Sequence, residues 1–211
     1  MIDATVRSDG EYLVLGAVRG VVLDAEPLVA KLEAFGPRAV GLGISFEELT
    51  GLNDHFVHRA YEPLVPLTRT ESAELHGLSL LTEVRVPHPA FVRVLEWARD
   101  RSVPVEALDP SDEGYTTLFT DHIGYFELVR RTLNERRLTR RPPAATTPDA
   151  YAVQWENGIA TGRGSRRFLA AREATIVTGA RRLASRNGRV AVVVDRERFD
   201  GVAAGLRTAP A

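Results

Sequence analysis

Five consecutive apolar residues, Val190-Ala191-Val192-Val193-Val194, constrain this chain more than any other segment. Valine favours extended backbone, and an unbroken apolar run leaves no face for water, so the segment reads as a strand covered on both sides. Such strands belong to parallel sheets with helices packed on each face. Two further runs suit the same sheet: Glu11 to Gly16, a short apolar stretch ending in glycine, and Arg38 to Ile44. Between them Asp24 stands at a helix-capping position, Pro27 falls in the first turn, and Leu28, Val29, Leu32 and Phe35 form a helical stripe closed by Gly36-Pro37. A strand–helix–strand unit of this kind implies parallel pairing and a right-handed crossover.

Ser45-Phe46-Glu47-Glu48 has the pattern of a capping box opening the next helix. Helical segments over residues 54–84 lead to a second unit. There Phe91, Val92, Leu95 and Trp97-Ala98 make a helix after Pro89, and Val103 to Leu108 makes a strand ending at Asp109-Pro110. Residues 112–138 have helical spacing. Three prolines and small polar residues over 139–150 predict a loop or linker. Asn157-Gly158 is the favoured pair for a tight turn, so residues 151–161 predict a β-hairpin insertion. A long helix follows from Ser165, its candidate cap, and stops before Gly188. At 211 residues the chain reads as a single α/β domain over 1–211, with a mainly parallel sheet flanked by helices.

The absence of cysteine excludes disulfides, thiolate metal sites and a cysteine nucleophile. No basic segment followed by an apolar run opens the chain, and no stretch approaches 18 apolar residues, so a cytoplasmic protein with no membrane association is expected. The net charge of −1 is a cancellation: residues 1–129 carry 10 basic and 21 acidic side chains, whereas residues 130–211 carry 17 and 7. Opposite charge favours association of the two parts, within one chain or in a homo-oligomer.

Several segments, in order, resemble one family. Leu13-Val14-Leu15-Gly16-Ala17-Val18-Arg19 is similar to a strand followed by a Gly-x-x-His motif, and Pro37 to Ile44 to a strand with a Pro-Asp-x-Val-x-x-Glu pattern. Ala98 to Asp109 resembles a helix and a strand ending in Asp. Arg172-Glu173 resembles an Arg-x-Glu-like helix motif, and Val192 to Val202 a terminal strand with a Gly-x-Gly-His-x-x-Gly turn. Together they resemble the TraB/PrgY family and the wider group containing Tiki and ChaN-like proteins. That resemblance implies an α/β fold and, for the Tiki type, metal-dependent hydrolysis by His and Glu ligands. Here those positions hold Arg19, Gly43 and Arg198, and an arginine has no lone pair to give a metal. The resemblance therefore implies the fold without the chemistry, and no cofactor is expected.

In an open parallel sheet, ligands bind beyond the carboxyl ends of the strands, where Arg19, Asp109 and Arg198 fall and Arg172 can join them from the long helix. Guanidiniums there suit a small anionic ligand, and also suit structural ion pairs with Asp109, Asp112 or Asp195. His55, His58 and Glu62 are an alternative metal set, sharing one helical face, although solvated polar residues give the same pattern. His76 and His122 fall in helical stretches and His88 between two prolines, with no triad pattern around them. Gly162 to Arg167 lacks the spacing of a phosphate-binding loop. Arg130, Arg131, Arg136, Arg137, Arg140 and Arg141 form the clearest basic cluster, but no aromatic residue interleaves after Phe126, which disfavours nucleic acid. The expected function is a non-catalytic regulatory or anion-binding one. The alternatives are a hydrolase of a peptide or phosphorylated small molecule with a rebuilt site, and a nucleic-acid-associated protein.

Overall fold

A computed structural model describes residues 2–7, 10–58 and 67–208, with the backbone alone at 7 and 55–58. The strands are β1 (Ile2–Arg7), β2 (Glu11–Ala17), β3 (Ala39–Leu42), β4 (Val105–Ala107) and β5 (Arg189–Asp195). Among the described residues they form one sheet in the order β1-β2-β5-β3-β4, parallel except for β1, which pairs antiparallel with β2. The helices are α1 (Ala25–Phe35), α2 (Phe46–His58), α3 (Arg69–Ser79), α4 (Pro89–Asp100), α5 (Asp112–His122), α6 (Tyr125–Arg140), α7 (Pro148–Ile159), α8 (Arg163–Asn187) and α9 (Phe199–Arg207).

The apolar run of β5 is explained by its central place. Ala191 and Val193 pack with Leu13, Leu15, Val40 and Leu42 beneath α1, α2 and α4. Val190, Val192 and Val194 turn the other way, onto α8 and α9. Alternate side chains of one strand thus enter two cores, and each buried valine contributes roughly 1.5 kcal/mol relative to exposure. A third core joins Val18 and Val21, just beyond β2, to Leu78 of α3, Leu138 of α6, and Tyr151, Trp155 and Ile159 of α7. This helical layer covers one end of the sheet, the end where the parallel strands stop.

The hairpin expected over 151–161 is overturned: that segment is α7. Thr147 caps it by accepting a hydrogen bond from the Ala150 N–H at 3.3 Å, and Pro148 occupies the first turn. Tyr151, Ala152, Trp155 and Ile159 make its buried stripe. Gly158 serves close packing instead of a turn, since a Cβ there would meet Leu138 Cδ1 at 2.9 Å. The hairpin lies at the other end of the chain, in β1 and β2, whose pairing runs from Ile2 opposite Gly16 to Arg7 opposite Glu11.

Smaller differences follow from capping. The expected 112–138 helix is two helices, because Ser111 caps α5, the chain becomes extended at Ile123, and α6 starts anew after Gly124. The proline-rich linker shortens, α6 continuing to Arg140 and α7 starting at Pro148. Ser165 lies inside α8 and its N–H donates to Glu127 Oε1 at 2.8 Å, while Gly162 takes the cap position. Among the described residues no helix is long and apolar enough to cross a membrane.

Candidate functional site

Where the parallel strands end, charged side chains gather in a partly dry space. β2 delivers Arg19, β4 delivers Asp109, and β5 delivers Asp195 followed by a short 3-10 turn carrying Glu197 and Arg198. Asp24 stands at the cap position of α1, but its side chain turns to the preceding loop. Its Oδ2 accepts the Val18 N–H at 2.7 Å and so fixes the segment that carries Arg19.

Asp195 is the hub. It is 3% exposed, and Arg19 reaches it with two hydrogen bonds, Nη2 to Oδ2 at 3.0 Å and Nε to Oδ1 at 3.4 Å. His88 Nε2 lies 3.5 Å from the same Oδ1. Burial works to raise the Asp195 pKa, but the charge of Arg19 and the contacts of His88 and Arg198 outweigh it and hold the carboxyl well below its ordinary range. It stays ionised. Arg19 also lies 3.7 Å from Glu48, whose N–H donates to the Ser45 hydroxyl at 3.1 Å; half of the capping box closes, and the Glu48 side chain turns to the arginine.

Arg198 is 6% exposed. Its Nε and Nη1 have no hydrogen-bond partner among the described residues. Glu197, Asp109, Asp195 and Glu156 surround it electrostatically. Burial, then the negative charge of Asp195, push the Glu197 carboxyl up to about 8 despite Arg198. Burial likewise raises Glu173 of α8. Arg172 and Asp109 satisfy each other through a bidentate pair, with Nε to Oδ1 at 3.2 Å, and the guanidinium lies over the Tyr115 ring at 4.9 Å. Arg172 therefore has its edge and one face occupied within the fold.

Of Arg19, Asp109, Arg172 and Arg198, Arg19 alone lines a cavity of about 470 Å³ at the end of β2, between α2, α3 and the segment before α4. Glu48, Glu74 and His88 line it as well. Burial raises the Glu74 carboxyl to about 7, against the pull of Arg19 and with the push of Glu156, Asp195 and Glu71. His88 is 7% exposed, stacked on Phe91 at 4.2 Å between ring centres, and its Nδ1 has no hydrogen-bond partner among the described residues.

Gly43, where the resemblance would set a glutamate, cannot carry a side chain without rearrangement: a Cβ there would meet Val194 Cγ1 at 2.8 Å. The space a metal-ligating carboxylate would need is filled by β5. Among the described residues no three His, Asp or Glu side chains are grouped to hold a metal. The side chains of His55 and His58, and Glu62 entirely, lie outside the described residues.

The arginine cluster lies on α6 and just beyond it. Arg131 pairs with Glu135 at 3.2 Å, whereas Arg130, Arg136, Arg137, Arg140 and Arg141 lie toward solvent. Tyr125 and Phe126 stand exposed at the start of the same helix. Sequence reasoning missed Glu74 and Glu197 as site residues. Glu74 belongs to a polar helix stretch with no distinguishing pattern, while Glu197 had a usable signal, a run of charged residues directly after the most apolar strand. No model of a known protein family matches the chain, and no curated protein matches it.

Proposed function

We propose that this is a non-catalytic, TraB-like protein that binds a small molecule in the cavity at the end of β2, with an anionic group of the ligand on Arg19. One observation carries the reading: Asp195 fixes the guanidinium through two of its nitrogens, yet the Arg19 side chain is still 42% exposed on the cavity wall. A preoriented guanidinium loses little freedom on binding, and its planar donors suit carboxylate or phosphate. The cavity volume falls in the range that holds small metabolites. Arginines at both histidine positions and the filled space at Gly43 argue against retained metal chemistry.

The test is a panel of carboxylated and phosphorylated metabolites, screened by thermal shift and then titrated calorimetrically. Saturable stabilisation by at least one of them is expected, weakened more than tenfold in Arg19→Gln and unchanged in Arg137→Gln. A panel without any such ligand, or one whose ligand ignores Arg19→Gln, overturns the reading.

A hydrolase acting on a peptide or phosphorylated small molecule is the second reading, supported by Glu74. A carboxyl near 7 on a cavity wall has the proton affinity that general acid–base transfer at neutral pH requires. Turnover of such a substrate, lost in Glu74→Gln with binding intact, would replace the non-catalytic reading by this one.

A further inference from the structure

The walls of the cavity carry five carboxylates, on Glu47, Glu48, Glu71, Glu74 and Asp112, against the guanidiniums of Arg19 and Arg85. Much of this charge is already engaged. Glu48 faces Arg19, Arg85 pairs with Glu83, and Glu71 closes the capping box of α3 by accepting the Thr68 N–H at 2.8 Å. Arg19 itself is held from below by Asp195 and keeps 42% of its side chain exposed. Three carboxyls remain with little or no hydrogen-bond partner among the described residues, those of Glu47, Glu74 and Asp112. Glu47 accepts one long bond, from the Asp112 N–H at 3.4 Å, and Glu74 accepts none among the described residues.

Such a wall repels a ligand that is only an anion, and Arg19 repels one that is only a cation. We infer that the ligand of this cavity is zwitterionic, a small molecule carrying a carboxylate or phosphate on Arg19 and an ammonium or guanidinium group received by Glu47 and Glu74. His88 gives this a second, independent footing. Its imidazole is 7% exposed and belongs to the cavity wall; Nε2 faces Asp195 Oδ1 at 3.5 Å, whereas Nδ1 has no partner among the described residues. Buried polar nitrogens are normally satisfied, so an unpartnered one at a cavity points to a ligand atom that completes it. The inference rests on the reading of Arg19 as the anion-binding group and adds the other half of the ligand.

Proton linkage gives the inference a signature of its own. The groups facing Glu74 are Arg19 from the β2 end, Glu71 of its own helix, Glu156 and Tyr151 of α7 and Asp195 of β5, and burial with the charges among them sets its carboxyl near 7. A ligand cation at Glu74 favours the ionised form, so affinity rises between pH 6 and pH 8.

The experiment titrates the full chain calorimetrically with straight ω-amino acids of four to eight carbons, and with the alkanoate and the alkylamine matching each. At one chain length the amino acid is expected to bind at least tenfold more tightly than either matched compound. That advantage shrinks to under threefold in Glu47→Gln/Glu74→Gln, and its growth from pH 6 to pH 8 disappears in Glu74→Gln. An alkanoate that binds as tightly as its amino acid overturns the zwitterion and leaves the anion reading standing. An alkylamine that binds as tightly and ignores Arg19→Gln overturns both, whereas a series in which nothing binds overturns the zwitterion and leaves the anion reading to the metabolite panel. The comparison among ligands is made on the unmutated chain, so it decides the matter even where the double variant fails to fold.

Discussion

A single carboxylate, Asp195, ties the fold to the site. Arg19 pairs with it directly and Arg198 feels its charge after those of Glu197 and Asp109, so its removal takes the main counter-charge from Arg19 and part of that from Arg198. Breaking a buried pair by deleting one partner typically costs about 3–5 kcal/mol. Asp195→Asn is expected near the lower figure, about 3 kcal/mol, because 42% of the Arg19 side chain reaches water. Glu106→Gln, which removes the partner of Arg186 at the surface, is expected to cost less than about 1 kcal/mol. Urea denaturation of the two variants at pH 7 measures both. Equal losses would mean that Asp195 is no hub. Arg19 and Arg198 were visible in the sequence because they fall just beyond the carboxyl ends of two readable strands, and Asp195 was visible only as one of several ion-pair partners. Glu74 was not visible at all, since its pKa comes from walls that three other segments build around it.

Elements were legible where local pattern and tertiary environment agree. β2, β3, β5, α1, α4 and the end of α8 at Gly188 follow directly from apolar periodicity and end signals. The Asn157-Gly158 pair misled because turn preference is a local quantity, whereas the Tyr151, Ala152, Trp155 and Ile159 stripe finds a core of α3 and α6 side chains to enter. β1 went unread although Ile2, Ala4 and Val6 alternate with polar residues, the signature of a strand with one face covered. The helical state of α7 predicts a specific sensitivity. Thr147→Ala removes the side-chain cap and is expected to lose about 0.5–2 kcal/mol, while Thr147→Asp retains it. In a hairpin neither change would matter, so equal stability of all three forms in urea would contradict α7.

For the whole molecule, the division of charge along the chain is resolved inside one sheet. β5, from the basic part, lies between β2 and β3, from the acidic part, and Arg189–Glu11, Arg186–Glu106 and Arg172–Asp109 pairs cross the division. The first two are exposed and contribute little each, whereas Arg172–Asp109 is largely buried. The pH dependence of stability is set by the buried acids instead, and they act in opposite directions. Asp195 has a folded pKa below its unfolded one, so its contribution is present above about pH 4 and is lost as pH falls further. Glu74 and Glu197 have folded values raised to about 7 and about 8, above the unfolded value. Between about pH 4.5 and those values the folded state binds more protons than the unfolded one, so stability falls as pH rises, at up to about 1.4 kcal/mol per pH unit for each group. Maximal stability is therefore expected near pH 5, with Tm declining to about pH 8 and levelling off above it. Glu197→Gln removes one of the protons concerned and cannot ionise, so its Tm is expected to decline less steeply and to exceed that of the unmodified chain by at least about 2 °C at pH 9. Melting curves of the two forms from pH 4 to pH 9 test this, and parallel profiles would show that Glu197 ionises as a solvated carboxyl does.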